Sequence, residues 1–274
     1  MVKNVKLNNG VEIPSVGLGV FRLEDNKEAQ RVVETALSVG YRHIDTAMIY
    51  QNEPAVGKAI KASGVPREEI FVTTKLWNDD QRSGKVKEAF EASLERLGFD
   101  YIDLYLIHWP VKDKIQQTWK IFEEIYKTGK ARAVGVSNFK AHHLEALKNV
   151  SNLIPAVNQI ELHPYLIQQA DLDYCNKAGI KVEAWSPFAA NKTGLFEEKL
   201  LTGLAEKYSK SPAQIILRWD YQRGIIIIPK SANEGRMKEN MNIFDFELTD
   251  AEIQQINSLN KDQRVGSDPD TFNF

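Results

Sequence analysis

At 274 residues, 43% hydrophobic and 26% charged, the chain can bury a large core, and its length suits one barrel as well as two small domains. Thirty-five Lys and Arg against 37 Asp and Glu leave a formal net charge of -2, which points away from nucleic acid or an anionic membrane as partner. A single cysteine, Cys175, excludes an intrachain disulfide and fits a reducing compartment; DLDYCNKAGI reads as the end of an amphipathic helix with a half-buried structural thiol.

The opening segment, MVKNVKLNNGVEIP, carries Lys3 and Lys6 and lacks the apolar stretch of a signal peptide. No segment approaches the roughly 18 apolar residues of a membrane-spanning helix, so a cytoplasmic protein without membrane contact is expected. Asn9-Gly10, between two short alternating segments, predicts a two-residue turn with positive φ, and hence a small hairpin closing the N-terminal end of the body that follows.

Eight apolar runs then recur: VGLGVF (16–21), YRHIDTA (41–47), IFVTTKLW (70–77), YIDLYLIHWP (101–110), ARAVGVSN (131–138), PAVNQIELH (155–163), IKVEAWSP (180–187) and GIIIIPKS (224–231). Most stop at a polar or chemically capable residue. Between them, apolar residues at three- and four-residue spacing predict helices over 26–40, 53–64, 84–98, 118–129, 141–150 and 172–179, several ending in Gly. After the seventh run two helices follow in succession, 197–208 and 211–224, the second opened by Ser211 as N-cap and Pro212 at the first helical position. Helices over 233–241 and 248–260 and a tail with Phe272 and Phe274 complete the chain; the tail either packs on the barrel or folds over its mouth. Strands buried on both faces read as continuous apolar runs, and no linker or internal repeat interrupts the rhythm. The pattern predicts an α/β fold, one (β/α)8 TIM barrel spanning 1–274 with an N-terminal β-hairpin and a C-terminal tail near the active-site mouth, its chemistry at the C-terminal ends of the strands.

Four rim residues carry that chemistry: Asp45, Tyr50, Lys75 and His108. Taken singly, Asp45 could cap a helix, Lys75 could be a solvated loop lysine, Tyr50 a core aromatic and His108 a hydrogen-bonded core histidine. Together they make a different case. Asp45 and Lys75 follow buried runs on adjacent strands, and pairing offsets the cost of bringing either charge into a partly desolvated cavity. A lysine ammonium near the Tyr50 phenol is expected to lower its pKa, and His108 on the next strand can hydrogen-bond to the same substrate oxygen.

HIDTAMIYQNEPAVGKAI (43–60), KLW (75–77), IHWP (107–110), GVSNF (135–139), NQIELHP (158–164) and IPKS (228–231), in this order, resemble the aldo-keto reductases across essentially the whole chain, and most closely the microbial branch of 2,5-diketo-gluconate, glyoxal and methylglyoxal reductases. The resemblance implies a barrel that binds an extended nicotinamide dinucleotide without a Rossmann domain, in keeping with GLGVFR (17–22), whose G-x-G has no third glycine. It implies Tyr50 as general acid, Lys75 and Asp45 as the pair that tunes it, and His108 as the residue orienting the carbonyl. It further implies Ser137, Asn138 and Gln159 on the nicotinamide carboxamide, and Trp185, followed by Ser186, stacked on the ring where many relatives carry Tyr. Bland readings remain: Ser137 and Asn138 as turn formers, Trp185 as core.

Lys230, Ser231 and Arg236 match positions that hold an adenosine 2′-phosphate, and Glu239 and Asn240 those on the adenine side, so NADPH is expected over NADH. Candidate pocket walls are Phe21, Trp77, Trp109 and Phe272 or Phe274. Phe21 stands where the larger animal enzymes often carry Trp. Short loops at about 110–118 and 186–196 are expected to leave an open site for small aldehydes, dicarbonyls and ketones, and flat apolar walls would also admit aromatic aldehydes. No metal is expected, and the mostly polar helix faces fit a monomer.

Competing readings exist. Glu161 and Glu183 are barrel carboxylates of the kind a glycoside hydrolase uses, against which stands a structural pairing of each with basic neighbours. The five histidines form no H-x-H or H-E-x-x-H pattern, and His142-His143 falls on a predicted surface helix. A nicotinamide-binding regulatory module of the same fold, without significant turnover, is the alternative from a different class.

Overall fold

The structure, a computed structural model, describes residues 2–23 and 25–274. Asn4–Lys6 (β1) pairs antiparallel with Glu12–Pro14 (β2). The turn between them differs from the expected two-residue type. Gly10 N–H donates to the Leu7 carbonyl at 3.0 Å, and within the loop it is Gly10 that takes a positive φ, 88°, so a β-turn over residues 7–10 ends in a left-handed glycine. Asn9 is drawn away by a long-range partner, its amide donating to the Arg132 carbonyl at 2.9 Å.

Eight parallel strands follow in sequence order around one sheet: Leu18–Gly19 (β3), His43–Asp45 (β4), Phe71–Leu76 (β5), Ile102–Ile107 (β6), Ala131–Ser137 (β7), Val157–Glu161 (β8), Lys181–Trp185 (β9) and Ile226–Ile227 (β10). The first and last are much shorter than their apolar runs because they lie at the seam. There Gly17 N–H donates to the Ile227 carbonyl and Ile227 N–H to the Ser15 carbonyl, a bridge that joins the two edges into a barrel. Closure pairs the two edges of the eight-stranded sheet with each other.

The helices are Asn26–Ser38 (α1), Glu53–Ala62 (α2), Asn78–Ser83 (α3), Val86–Leu97 (α4), Ile115–Lys127 (α5), Ala141–Lys148 (α6), Gln169–Ala178 (α7), Lys199–Tyr208 (α8), Pro212–Gln222 (α9), Glu234–Met241 (α10) and Asp250–Asn257 (α11). Ser211 caps α9 as its sequence predicts, accepting from Gln214 N–H. The short α3 was not expected: NDDQRS has no apolar face to give a period, and it ends at left-handed Gly84. Among the described residues, no helix is long and apolar enough to cross a membrane.

Alternation along each strand splits the core in two. Ile44, Tyr105, Val134 and Val182 pack outward with the helices, in one cluster with Phe90, Trp119 and Phe122. Phe71, Leu104, Leu106, Ala133, Val157 and Ile226 form a second cluster, joined by Leu7 and Ile13, so the hairpin plugs the end of the barrel where the strands begin. Moving along the strands, the same alternating positions turn polar: Asp45, Lys75, Ser137, Gln159 and Glu183. Function therefore sits at the opposite end from the plug.

Gly57 marks how tightly the helices pack, since a Cβ there would lie 2.0 Å from the Leu97 carbonyl oxygen at the end of α4. Backbone cannot yield as a side-chain tip can. Gly57→Ala is expected to destabilise the fold by about 3 kcal/mol through overpacking; chemical denaturation of the purified variant measures it, and an unchanged midpoint would contradict the close approach.

Candidate active site

The site is built from residues at the C-terminal ends of the strands and from the loops that follow them. Past β4, a single 3-10 turn, Met48–Tyr50, brings Tyr50 back over the barrel, closed by Tyr50 N–H donating to the Ala47 carbonyl and by left-handed Gln51. Buried Asn52 staples this loop: its side-chain oxygen accepts from the Thr46 hydroxyl at 2.7 Å, and its amide donates to the Val20 and Leu23 carbonyls. Glu53 fixes the start of α2 by accepting from the Thr74 hydroxyl at 2.7 Å and pairing with Arg96 at 2.6 Å.

At the centre, Lys75 Nζ donates to Asp45 Oδ1 at 2.7 Å and to the Thr46 carbonyl at 2.9 Å, and it lies 3.5 Å from the Tyr50 hydroxyl. The His108 ring stands edge-on to Tyr50, with centroids 5.8 Å apart. Burial pulls the Lys75 ammonium down, but Asp45, Tyr50 and Glu183 together outweigh it and hold its pKa above the usual value. Burial, and then the Lys75 charge, push His108 well below the usual imidazole range, so it is neutral. Tyr50 departs from expectation: its pKa lies above 10 because burial costs the phenolate more than Lys75 returns, and Asp45 adds to the cost. The phenol is thus firmly protonated, with Lys75 limiting the rise.

A cleft of about 840 Å³ opens over this floor. Asp45, Tyr50 and His108 line it with Ser137, Asn138, Gln159, Trp185 and Ser186. Lys230, Ser231, Arg236, Glu239 and Asn240 line one arm, and Phe21, Trp77 and Trp109 wall the mouth. Lys75 lies beneath, fully buried. Phe272 does not reach the cleft; it lines a neighbouring cavity and packs on Trp109, while Phe274 stacks on Trp77 at 5.9 Å and forms the wall instead. The mouth is open, with Phe21 53% exposed.

Asn138 does more than turn the chain. Held at φ 63°, it donates to the His108 carbonyl at 3.0 Å and to Ser137 Oγ, and it accepts from Trp185 Nε1 at 2.9 Å. Gln159 uses its amide nitrogen on two carboxylates, Asp45 and Glu183, both at 2.7 Å. Asn233 caps α10 by accepting from Arg236 N–H at 3.0 Å, which sets the N-terminus of that helix beside Lys230 and Arg236. Among the described residues neither cation makes an ion pair, and the pair of free cations at a helix N-terminus suits a phosphate.

The tail packs along the wall of the cleft, and its anchors could not be read from sequence. Val265 and Gly266 N–H donate to Glu161 at 2.7 and 3.0 Å, and Gly266 sits so close to the Trp185 ring that a Cβ would lie 2.4 Å from it. Lys140 pairs with Asp268 and Asp270. His142, His143 and Asp270 converge, yet His143 Nδ1 accepts from Lys140 N–H, which puts the ring proton on Nε2, towards Asp270; His143 is neutral there, and the group helps to anchor the tail. Glu161 pairs with His163 at 3.0 Å, in keeping with a structural role, whereas among the described residues Glu183 has no basic contact, only Gln159. Both glutamates are fully buried and neither lines the cleft, as a glycoside-hydrolase pair would. Cys175 is buried, and burial pushes its thiol up to about 11. Arg22 was missed: it lines the cleft at φ 62°, just past the VGLGVF run and next to Phe21, the candidate pocket wall.

A closed parallel barrel with a Tyr–Lys–Asp–His floor and a cationic arm defines an oxidoreductase acting on carbonyl groups with a nicotinamide cofactor. The pattern of the Aldo/keto reductase family matches residues 15–261, and the chain belongs to that family. It is 54% identical to a glyoxal reductase of Bacillus subtilis (strain 168), over 98% of this chain and 97% of that protein. It is 51% identical to a 9,11-endoperoxide prostaglandin H2 reductase of Trypanosoma cruzi (strain CL Brener), over 98% and 95%. An aldo-keto reductase of Bombyx mori solved in complex with NADP superposes with a TM-score of 0.92 at 41% identity, over 98% of this chain and 96% of that one.

Lys75→Met is expected to destabilise the protein by about 3 kcal/mol, because it leaves the Asp45 carboxylate buried without its cation. Urea unfolding followed by circular dichroism measures this; a wild-type midpoint would show that the pair contributes nothing to the fold.

Proposed function

We propose that this chain reduces small aldehydes, α-dicarbonyls such as glyoxal and methylglyoxal, and ketones to alcohols with NADPH, and that its aromatic mouth also admits aromatic aldehydes. The observation that carries the reading is the protonated Tyr50 hydroxyl, 3.5 Å from a buried Lys75 and beside a neutral His108, at the floor of an aromatic-walled cleft.

Bound in this cleft, NADPH would supply the hydride that adds to the carbonyl carbon. Tyr50 is the proton donor: its hydroxyl gives up its proton as negative charge builds on the carbonyl oxygen. Lys75 stabilises the phenolate left behind, and Asp45 keeps that lysine charged and aimed. Neutral His108 donates an N–H to the same oxygen and sets its direction. Ser137, Asn138 and Gln159 hold the carboxamide. Trp185, fixed by Asn138, offers its face to the ring. Lys230, Ser231 and Arg236 take the 2′-phosphate, and Glu239 and Asn240 border the adenine. The similarity to a glyoxal reductase supports the substrate class, and the open mouth accords with the bulkier substrate in the name of the trypanosomal relative.

NADPH oxidation with methylglyoxal, phenylglyoxal and a nitrobenzaldehyde, run beside NADH, tests the reading. Carbonyl-dependent turnover favouring NADPH supports it; tight binding without turnover would instead indicate a regulatory module. Tyr50→Phe should abolish reduction while leaving NADPH affinity nearly intact, and retained turnover would remove Tyr50 as the donor. Arg236→Ala should weaken NADPH roughly tenfold with little effect on NADH, the loss of one solvent-screened charge-assisted bond; equal losses for both cofactors would place the 2′-phosphate elsewhere.

A further inference from the structure

Glu183 is a buried acid that the reduction just described does not use. It lies on β9, opposite Gln159 on β8 and Ile226 on β10, with no exposed surface. One carboxyl oxygen accepts from Gln159, whose other amide hydrogen goes to Asp45; the second oxygen has no partner among the described residues. Because both of its amide hydrogens are committed to carboxylates, Gln159 presents its carbonyl oxygen to the cleft. Glu183 is thus one hydrogen-bonding residue away both from the catalytic floor and from the place proposed for the nicotinamide.

The charge balance of this interior is informative. Asp45 and Lys75 cancel. Burial holds the Tyr50 phenol, His108 and His43 neutral, the last with its pKa lowered to about 3. β10 offers only Ile226 and Ile227; Glu161, further along β8, is engaged by His163 and the tail, and Lys181, two residues before Glu183, is half-buried at the start of the strand. Ionisation of Glu183 therefore adds one negative charge to the interior, and among the described residues no cation is in contact with it. A nicotinamide ring is neutral when reduced and cationic when oxidised. In a poorly solvated site the neutral combinations are favoured: protonated Glu183 with the reduced ring, ionised Glu183 with the oxidised one.

We propose that Glu183 is an ionisable positioning residue whose charge follows the oxidation state of the bound cofactor, releasing its proton to solvent as NADPH becomes NADP+ and regaining it when NADP+ leaves. No electron moves at Glu183; the hydride goes to the substrate carbon and the Tyr50 proton to its oxygen. Desolvation, then repulsion from Asp45, raises the Glu183 pKa to about 8, so the protonation change falls within an accessible range. The sign is fixed: NADP+ favours the ionised acid, so its affinity increases as pH rises towards and through 8, while NADPH affinity does not follow. Effects common to both forms, such as ionisation of the 2′-phosphate, cancel in the ratio of their dissociation constants.

This inference rests on the nicotinamide reading of the cleft. Kd values for NADP+ and NADPH, from quenching of tryptophan fluorescence between about pH 6 and pH 10, test it without turnover. In the wild type the preference for NADP+ over NADPH should grow about tenfold across that range, the effect of one pKa unit of coupling. Glu183→Gln keeps an acceptor for Gln159 but cannot ionise; it should flatten the profile and weaken NADP+ alone at high pH. Should that variant fail to fold, infrared difference spectra of the wild type provide the second readout: a protonated-carboxyl band present with NADPH should disappear with NADP+. A pH-independent ratio in the wild type, a wild-type slope in Glu183→Gln, or an unchanged carboxyl band would overturn the proposal while leaving the reductase reading intact. Failure of either cofactor to bind at any pH would overturn both.

Discussion

The buried contact between Lys75 and Asp45 is the constraint around which the rest of this barrel is arranged. A lysine with no exposed surface is tolerated only where its charge is matched and its protons are accepted, and Asp45 and the Thr46 carbonyl do both within 2.9 Å. That requirement fixes the register of β4 against β5, because one residue of slip would turn either side chain into the outer helical layer. It also explains the weight of structure behind the β4–α2 loop. Asn52 and Glu53 are spent on carbonyls, hydroxyls and Arg96 so that the loop carrying Tyr50 and the strand carrying Lys75 stay in place.

The barrel and its floor were legible because the same physics writes both into sequence. Strands buried on two faces must be apolar until they end, so IFVTTKLW and LIHWP announce their polar residues by interruption, and the helices between them show their period plainly. What escaped depended on contacts distant in sequence. Nothing in NNG shows that Asn9 will bond to Arg132, nor in NDDQRS that six polar residues will form a helix. Phe272 and Phe274 are equivalent by composition; the tail's anchors at Lys140 and Glu161 decide which one reaches the cleft. The Tyr50 pKa was misjudged for a related reason. The sequence displays the nearby cation but not the depth of burial, and burial is the larger effect.

That balance bears on how the site can work. A phenol raised by desolvation and restrained by a lysine is a donor that keeps its proton until charge appears on a neighbouring oxygen, which is the behaviour required when hydride addition generates an alkoxide. Lowering its pKa in the resting site would only have populated phenolate, a form with nothing to donate. The lysine is more valuable afterwards, when the phenolate exists and needs a partner. Low polarity and a single buried cation therefore act at different moments, and the same low polarity makes any second unmatched charge in the barrel sensitive to what binds above it. Gln159 touches two carboxyl groups, Asp45 with its cation and Glu183 with none in contact among the described residues. The floor of this cleft is thus joined by polar contacts from Tyr50, through Lys75, Asp45 and Gln159, to the buried acid Glu183.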